Sequence, residues 1–248
     1  MPDLNLLLAV FLIIFFASIV RGLSGFGLAM IALPLLSLIL PYRETVVLLV
    51  AVNLAFSIVH LIKSKGLIKS GYFIIIIVFS SLGVTAGVLL LNRINNEILR
   101  TCAGLVILIF AILMFSGYRL RFARPGMAYS LASLIGGILA GSASIGGPVA
   151  ALMLGGTKLK HDEFRYSMSV FFLVSYAYST ALYSVTGSID PEQLLLIIFC
   201  IPSMIAGFFL GERLTKIINE RKIRTIVLLL LVLAGIFTTW KGLAALLA

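Results

Sequence analysis

Gly141-Ser-Ala-Ser-Ile-Gly-Gly-Pro148 lies inside a charge-free run, Gly126–Thr157, and Arg21-Gly-Leu-Ser-Gly-Phe-Gly27 interrupts a second long run, Leu4–Leu40. A helix that crosses a bilayer takes ~20 predominantly apolar residues. Both runs are too long for one such helix, and glycine clusters at their centres disfavour an unbroken one. Each run therefore reads as two half-helices meeting at a break. In the second run Gly136-Gly137 reads as a further interruption. Pro148 fits the first position of a new helix, where no backbone donor is needed.

The rest of the chain has the same character. Of 248 residues 61% are hydrophobic and 11% charged, whereas soluble domains carry about a quarter charged residues. That composition excludes a soluble enzyme, a nucleic-acid-binding domain and a disordered chain. The remaining charge-free runs are Thr45–Ile62, Ser70–Leu91, Thr101–Tyr118, Tyr166–Ile189, Gln193–Gly211 and Thr225–Trp240. They contain unbroken apolar stretches such as Ile74–Phe79 rather than the alternation of barrel strands, so they read as helices. The first run lacks a preceding basic residue and is too long for a signal peptide core. Cys102 and Cys200 fall in apolar runs without paired spacing, so neither a disulfide nor a metal site is indicated, and no cofactor is implied. The expectation is an all-α, multi-pass protein of the cytoplasmic membrane.

The chain also repeats itself. A shift of 119 residues lays Gly22 on Gly141, Gly27 on Gly146 and Glu44 on Glu163; a shift of 124 lays Gly83 and Gly87 on Gly207 and Gly211, and Asn95 on Asn219. The first repeat spans 1–118, with a broken hairpin at 4–40 and helices at 45–62, 70–91 and 98–118. A basic cytoplasmic linker at 119–125 leads to the second repeat, 126–248, with its hairpin at 126–157 and helices at 164–188, 192–212 and 222–245. The Gly83/Gly87 and Gly207/Gly211 pairs suit close helix contacts.

Charge settles the expected orientation. If each broken run enters the membrane and returns as a re-entrant hairpin, 14 of the 19 Lys and Arg residues fall in loops on one side, around 63–69, 119–124, 158–165 and 213–224. The positive-inside rule makes that side cytoplasmic. Each repeat then holds three full crossings, an odd number, so the two repeats are inverted.

Inverted repeats with glycine-interrupted helices in matching positions point to a secondary transporter with its site at the breaks. A helix break is tolerated in a membrane only where it lines an enclosed cavity. There the N–H groups that begin the second half-helix form an anion site. The substrate is expected between the Ser24–Gly27 and Ser142–Gly147 breaks, held by Arg21, Ser24, Gly25, Gly27, Ser142, Ser144, Gly146 and Gly147. Arg21 is an intramembrane cation able to hold an oxyanion by paired hydrogen bonds; snorkelling or capping of its own helix competes as an explanation. Asn53, alone in an apolar helix, suits substrate contact or an interhelical hydrogen bond. Tyr176, Tyr178 and Tyr183 share one helix, and spacing alone leaves them interfacial or cavity-lining.

The motifs Gly22-Leu-Ser-Gly-Phe-Gly27, followed by Pro34, and Gly141-Ser-Ala-Ser-Ile-Gly-Gly-Pro148 resemble those of the sulfite exporter TauE/SafE family of bacterial membrane permeases. The resemblance covers essentially the whole chain, although the family's first repeat is usually richer in consecutive glycines. It implies export of a small sulfur-containing anion such as sulfite or an organosulfonate by alternating access. Composition and spacing support an anion and go no further.

Two other readings compete. A passive anion channel shares the inverted-repeat architecture. An intramembrane serine protease is suggested by Gly22-Leu23-Ser24-Gly25, but its nucleophile needs a base within reach, and His60 and His161 are the only histidines. The partners expected are the small anion and the lipid bilayer, with no nucleic acid. Proton or sodium coupling and a homo-oligomer both stay open.

Overall fold

The computed structural model describes residues 4–25, 27–63, 70–116, 122, 124–157, 159–217 and 219–247. Among them lie ten helices and no strand: α1 (Leu4–Ser24), α2 (Leu28–Leu36), α3 (Tyr42–Lys63), α4 (Ser70–Arg93), α5 (Asn96–Phe115), α6 (Pro125–Ala143), α7 (Gly146–Leu154), α8 (His161–Val185), α9 (Pro191–Leu214) and α10 (Glu220–Leu247). Eight are long and apolar enough to cross a membrane. The chain is a polytopic, all-helical membrane protein. The linker expected at 119–125 lies largely outside the described residues, as do Lys65, Lys69 and Lys158.

The two broken runs differ from two equal half-helices. Helices α1 and α6 have 21 and 19 residues, ~30 Å at 1.5 Å per residue, about the thickness of the hydrocarbon core. Helices α2 and α7 have nine residues each, only ~13 Å. The long first arm has a local cause. The Ser24 hydroxyl donates to the Val20 carbonyl at 2.8 Å and Gly25 N–H to the Arg21 carbonyl at 2.7 Å, which carries the helix past Arg21. It ends only where Gly25 (φ +80°) and Gly27 (φ +106°) take left-handed conformations, which glycine adopts without steric penalty.

Gly136-Gly137 is not a break, since α6 runs through both. They are glycines because neighbours come close: a Cβ on Gly137 would lie 2.8 Å from the Ser80 carbonyl oxygen, and one on Gly136 2.7 Å from the Phe171 ring. Pro148 stands third in α7 rather than first. The third N–H of a helix also lacks an internal acceptor, so proline costs nothing there.

The helices form two compact units. One comprises Met1–Val52, Ile94–Gly117 and Ser188–Ala248; the other comprises Asn53–Arg93 and Tyr118–Gly187. Each unit draws on both halves of the sequence, because the paired helices come from different ones. In the first unit α1 packs on α9, and in the second α4 packs on α6. A Cβ on Gly207 would lie 2.3 Å from the Phe15 carbonyl oxygen, and one on Gly211 2.3 Å from that of Ile19 and 2.9 Å from Gly22 Cα. In the other unit a Cβ on Gly83 would lie 2.2 Å from the Leu134 oxygen, and one on Gly87 2.3 Å from the Ile138 oxygen and 3.1 Å from Gly141 Cα. Phe15, Ile19 and Gly22 become Leu134, Ile138 and Gly141 at the 119-residue shift, and the glycines follow the 124-residue shift. The two helix pairs thus make the same contact at matching positions.

Without a hydrophobic drive between helices in lipid, such backbone-to-backbone approach is a main source of their association. Gly83→Ala and Gly207→Ala should each cost about 1–3 kcal/mol through overpacking. The two losses should match, which thermal unfolding of the detergent-purified variants measures. A large loss in only one would show that the contacts are not equivalent. Helix α5 meets α10 in the same manner, through Gly104 against Thr239 and Gly242 against Thr101.

Candidate anion site

The break in the second unit is built around Ser144. It is the only non-glycine residue with positive φ among those described, at +60°. That conformation costs an L-residue roughly 1–2 kcal/mol, and three contacts hold it. Its N–H donates to the Ala140 carbonyl at 3.0 Å. Its hydroxyl accepts from Asn53 Nδ2 at 3.0 Å, and its carbonyl accepts from the Tyr176 hydroxyl at 3.1 Å. Ser144 and Asn53 are both buried. A strained residue fixed from three sides is a preorganised feature.

Further contacts meet carbonyls near the end of α6. Tyr183 donates to the Gly141 carbonyl, and Ile145 N–H reaches the Leu139 carbonyl at 3.2 Å. The Ser142 hydroxyl is turned back onto its own helix, donating to the Ile138 carbonyl at 2.7 Å. The chain then reverses. A Cβ on Gly146 would lie 2.2 Å from the Gly136 carbonyl oxygen and 3.0 Å from Ala140 Cβ. In a straight helix residues ten apart would stand ~15 Å from each other. Helix α7 thus starts folded back against α6.

The amide end of α7 is treated differently. Ile145 precedes it and supplies no side-chain cap. The first N–H groups of a helix have no internal acceptor, and with the helix dipole they attract negative charge. Gly146 and Gly147 therefore begin α7 as uncapped, buried donors. The Leu139, Ala140, Gly141 and Ser144 carbonyls are covered on one side of the break and the first amides of α7 are uncapped on the other, a polarity that suits an anion.

In the first unit Arg21 is buried at 3% exposure, in the last turn of α1. Gly27 precedes α2 and offers no side chain to cap it, so α2 also begins with uncapped N–H groups. Gly25 is exposed and Gly27 buried. The Ser24 proton is used within its own helix, unlike that of a nucleophile poised on a base. His60 is held through Nδ1 by the Ser169 hydroxyl at 2.6 Å and stacks on Phe56. The Ser169 hydroxyl donates to the Arg165 carbonyl at 2.8 Å, which assigns the His60 contact an Nδ1–H donor.

Of the residues expected at the site, Asn53, Ser142, Ser144, Gly146 and Gly147 gather in the second unit. Arg21, Ser24, Gly25 and Gly27 belong to the first. Tyr176 and Tyr183, which spacing left undecided, contact the backbone at the break. Their separation of seven was the usable signal, because it puts both hydroxyls on one face of α8.

This hairpin lies inside a match that spans nearly the whole sequence: the family described as Sulfite exporter TauE/SafE matches residues 10–238. The chain belongs to the TauE/SafE family. No curated protein and no solved structure matches it. Family membership makes it a membrane transport protein for sulfur-containing anions, in keeping with its eight long apolar helices. A family of transporters also weighs against reading Gly22-Leu23-Ser24-Gly25 as a protease motif.

Proposed function

We propose that the protein is a secondary transporter that exports sulfite or a small organosulfonate across the cytoplasmic membrane by alternating access. The observation that carries this reading is the Ser144 break, where an uncapped, buried helix N-terminus follows a residue locked into a left-handed conformation. The N–H groups of Gly146 and Gly147 bind the anion's oxygens, and Asn53, Ser144 and Tyr176 hold the break in shape. The outward direction fits the energetics: an inside-negative potential supplies ~2.3 kcal/mol per charge per 100 mV.

Counterflow in proteoliposomes tests the proposal. Vesicles loaded with unlabelled sulfite are offered labelled sulfite outside, with sulfate, thiosulfate and small sulfonates as competitors. Transient accumulation above equilibrium supports a carrier. Simple equilibration supports the passive anion channel, and no flux of any of these anions overturns both.

Arg21 supplies a full positive charge beside the first unit's break. Arg21→Ala should reduce anion flux at least tenfold while the protein stays folded, and Arg21→Lys should keep part of it. The partial rescue follows because Lys retains charge and loses the bidentate geometry. Unchanged flux and affinity in Arg21→Ala would remove Arg21 from the site.

A further inference from the structure

We infer that Ser175 and Ser179 on α8 complete the oxyanion site of the second unit as hydroxyl donors, and that the site selects oxyanions carrying no proton; the inference rests on the transport reading above. Both side chains are fully buried, at 0% exposure. Neither hydroxyl has a hydrogen-bond partner among the described residues. That sets them apart on their own helix. Ser167, Ser169, Thr180 and Ser184 all donate to the carbonyl four residues back. A serine with that acceptor available that leaves it unused is turned outward from the helix.

The contacts of α8 show what they face. Tyr176 reaches the Ser144 carbonyl and Tyr183 the Gly141 carbonyl, while the Phe171 ring lies against Gly136. With ~100° per residue around the helix and Tyr176 at zero, Tyr183 falls near −20° and Phe171 near −140°. Ser179 and Ser175 fall between them, near −60° and −100°, and also between them along the axis. Both orphan hydroxyls are thus bracketed by residues that touch the α6–α7 hairpin.

Most carbonyls around the hairpin's break are already met. The carbonyls of Ile138, Leu139, Ala140, Gly141 and Ser144 all have donors, whereas α7 begins uncapped and the two hydroxyls are unbonded. A sulfonate presents only acceptors and can take them all. Hydrogenphosphate or bicarbonate must also place its own proton, and a site that leaves a polar group unpaired rejects the ligand that brings it.

The test follows the thermal stability of purified full-length protein during titration with methanesulfonate and, separately, with hydrogenphosphate. For wild type, methanesulfonate should stabilise at concentrations at least tenfold lower than hydrogenphosphate. Ser175→Ala and Ser179→Ala should keep or raise the melting temperature without ligand, because each removes an unsatisfied buried hydroxyl. Each should weaken methanesulfonate at least tenfold. Equal affinity in the double variant overturns the assignment, as does equal affinity of wild type for the two anions. If wild type responds to no oxyanion, sulfite included, the transport proposal itself fails.

Discussion

Gly146→Ala should abolish anion counterflow and lower the melting temperature of the purified protein by about 5–10 °C. The added methyl would lie 2.2 Å from the Gly136 carbonyl oxygen and 3.0 Å from Ala140 Cβ. Neither obstacle is the end of a flexible side chain, so α7 must lift off α6. Overpacking of this kind costs about 2–3 kcal/mol, and a chain of this size loses ~2–4 °C per kcal/mol. The shift also displaces the Gly146 and Gly147 amides, so function should fail further than stability. Gly71→Ala is the control, since nothing lies within 4 Å of its Cβ position; it should melt and transport as wild type does. A Gly146→Ala variant with wild-type melting and flux would show that the hairpin is not closed as described.

Asn53→Asp should reduce flux ~100-fold while leaving the fold intact. The side chain keeps its size, and Ser144 can donate to the new carboxylate in place of accepting from the amide. The site then gains a negative charge beside the anion it should bind. Like-charge juxtaposition costs several kcal/mol, and ~2.7 kcal/mol is a hundredfold in affinity. Asn53→Ala removes the contact without adding charge and should cost less, about tenfold. The ratio of the two KM values for sulfite or methanesulfonate, measured in proteoliposomes, is the readout. If Asp and Ala behave alike, Asn53 acts only on the backbone at Ser144 and not on charge near the substrate.

Much of this molecule could be read from residue order. The charge-free runs located the long helices because the bilayer admits only segments that are apolar over their whole length. Two numerical shifts in glycine position anticipated a contact made twice, since only glycine lets helix backbones approach that closely. The breaks at Gly25–Gly27 and Ser144–Gly147 were legible for the same reason, as was the family. Gly136-Gly137 shows where the reasoning stops. Two adjacent glycines look like a break, yet they sit in a continuous helix because Phe171, Ser80 and the start of α7 press against them. Ser24 and Ser142 read as substrate-binding residues, and their hydroxyls donate to carbonyls of their own helices. That local bond competes wherever a serine lies within a helical turn.

By itself the sequence determined that this chain is a helical, membrane-spanning member of the TauE/SafE family, broken at two glycine-rich stretches. These properties depend on composition and short-range spacing, which lipid and backbone geometry constrain directly. Only the tertiary structure decided which helices pair, and that each compact unit takes helices from both halves. It also decided that Asn53, Tyr176 and Tyr183 lock the Ser144 break while Ser175 and Ser179 keep unbonded hydroxyls on the face toward it. Asn53 and Ser144 are 91 residues apart in the chain. A hydrogen bond between residues that distant depends on where every intervening helix is packed, and no local pattern carries that information.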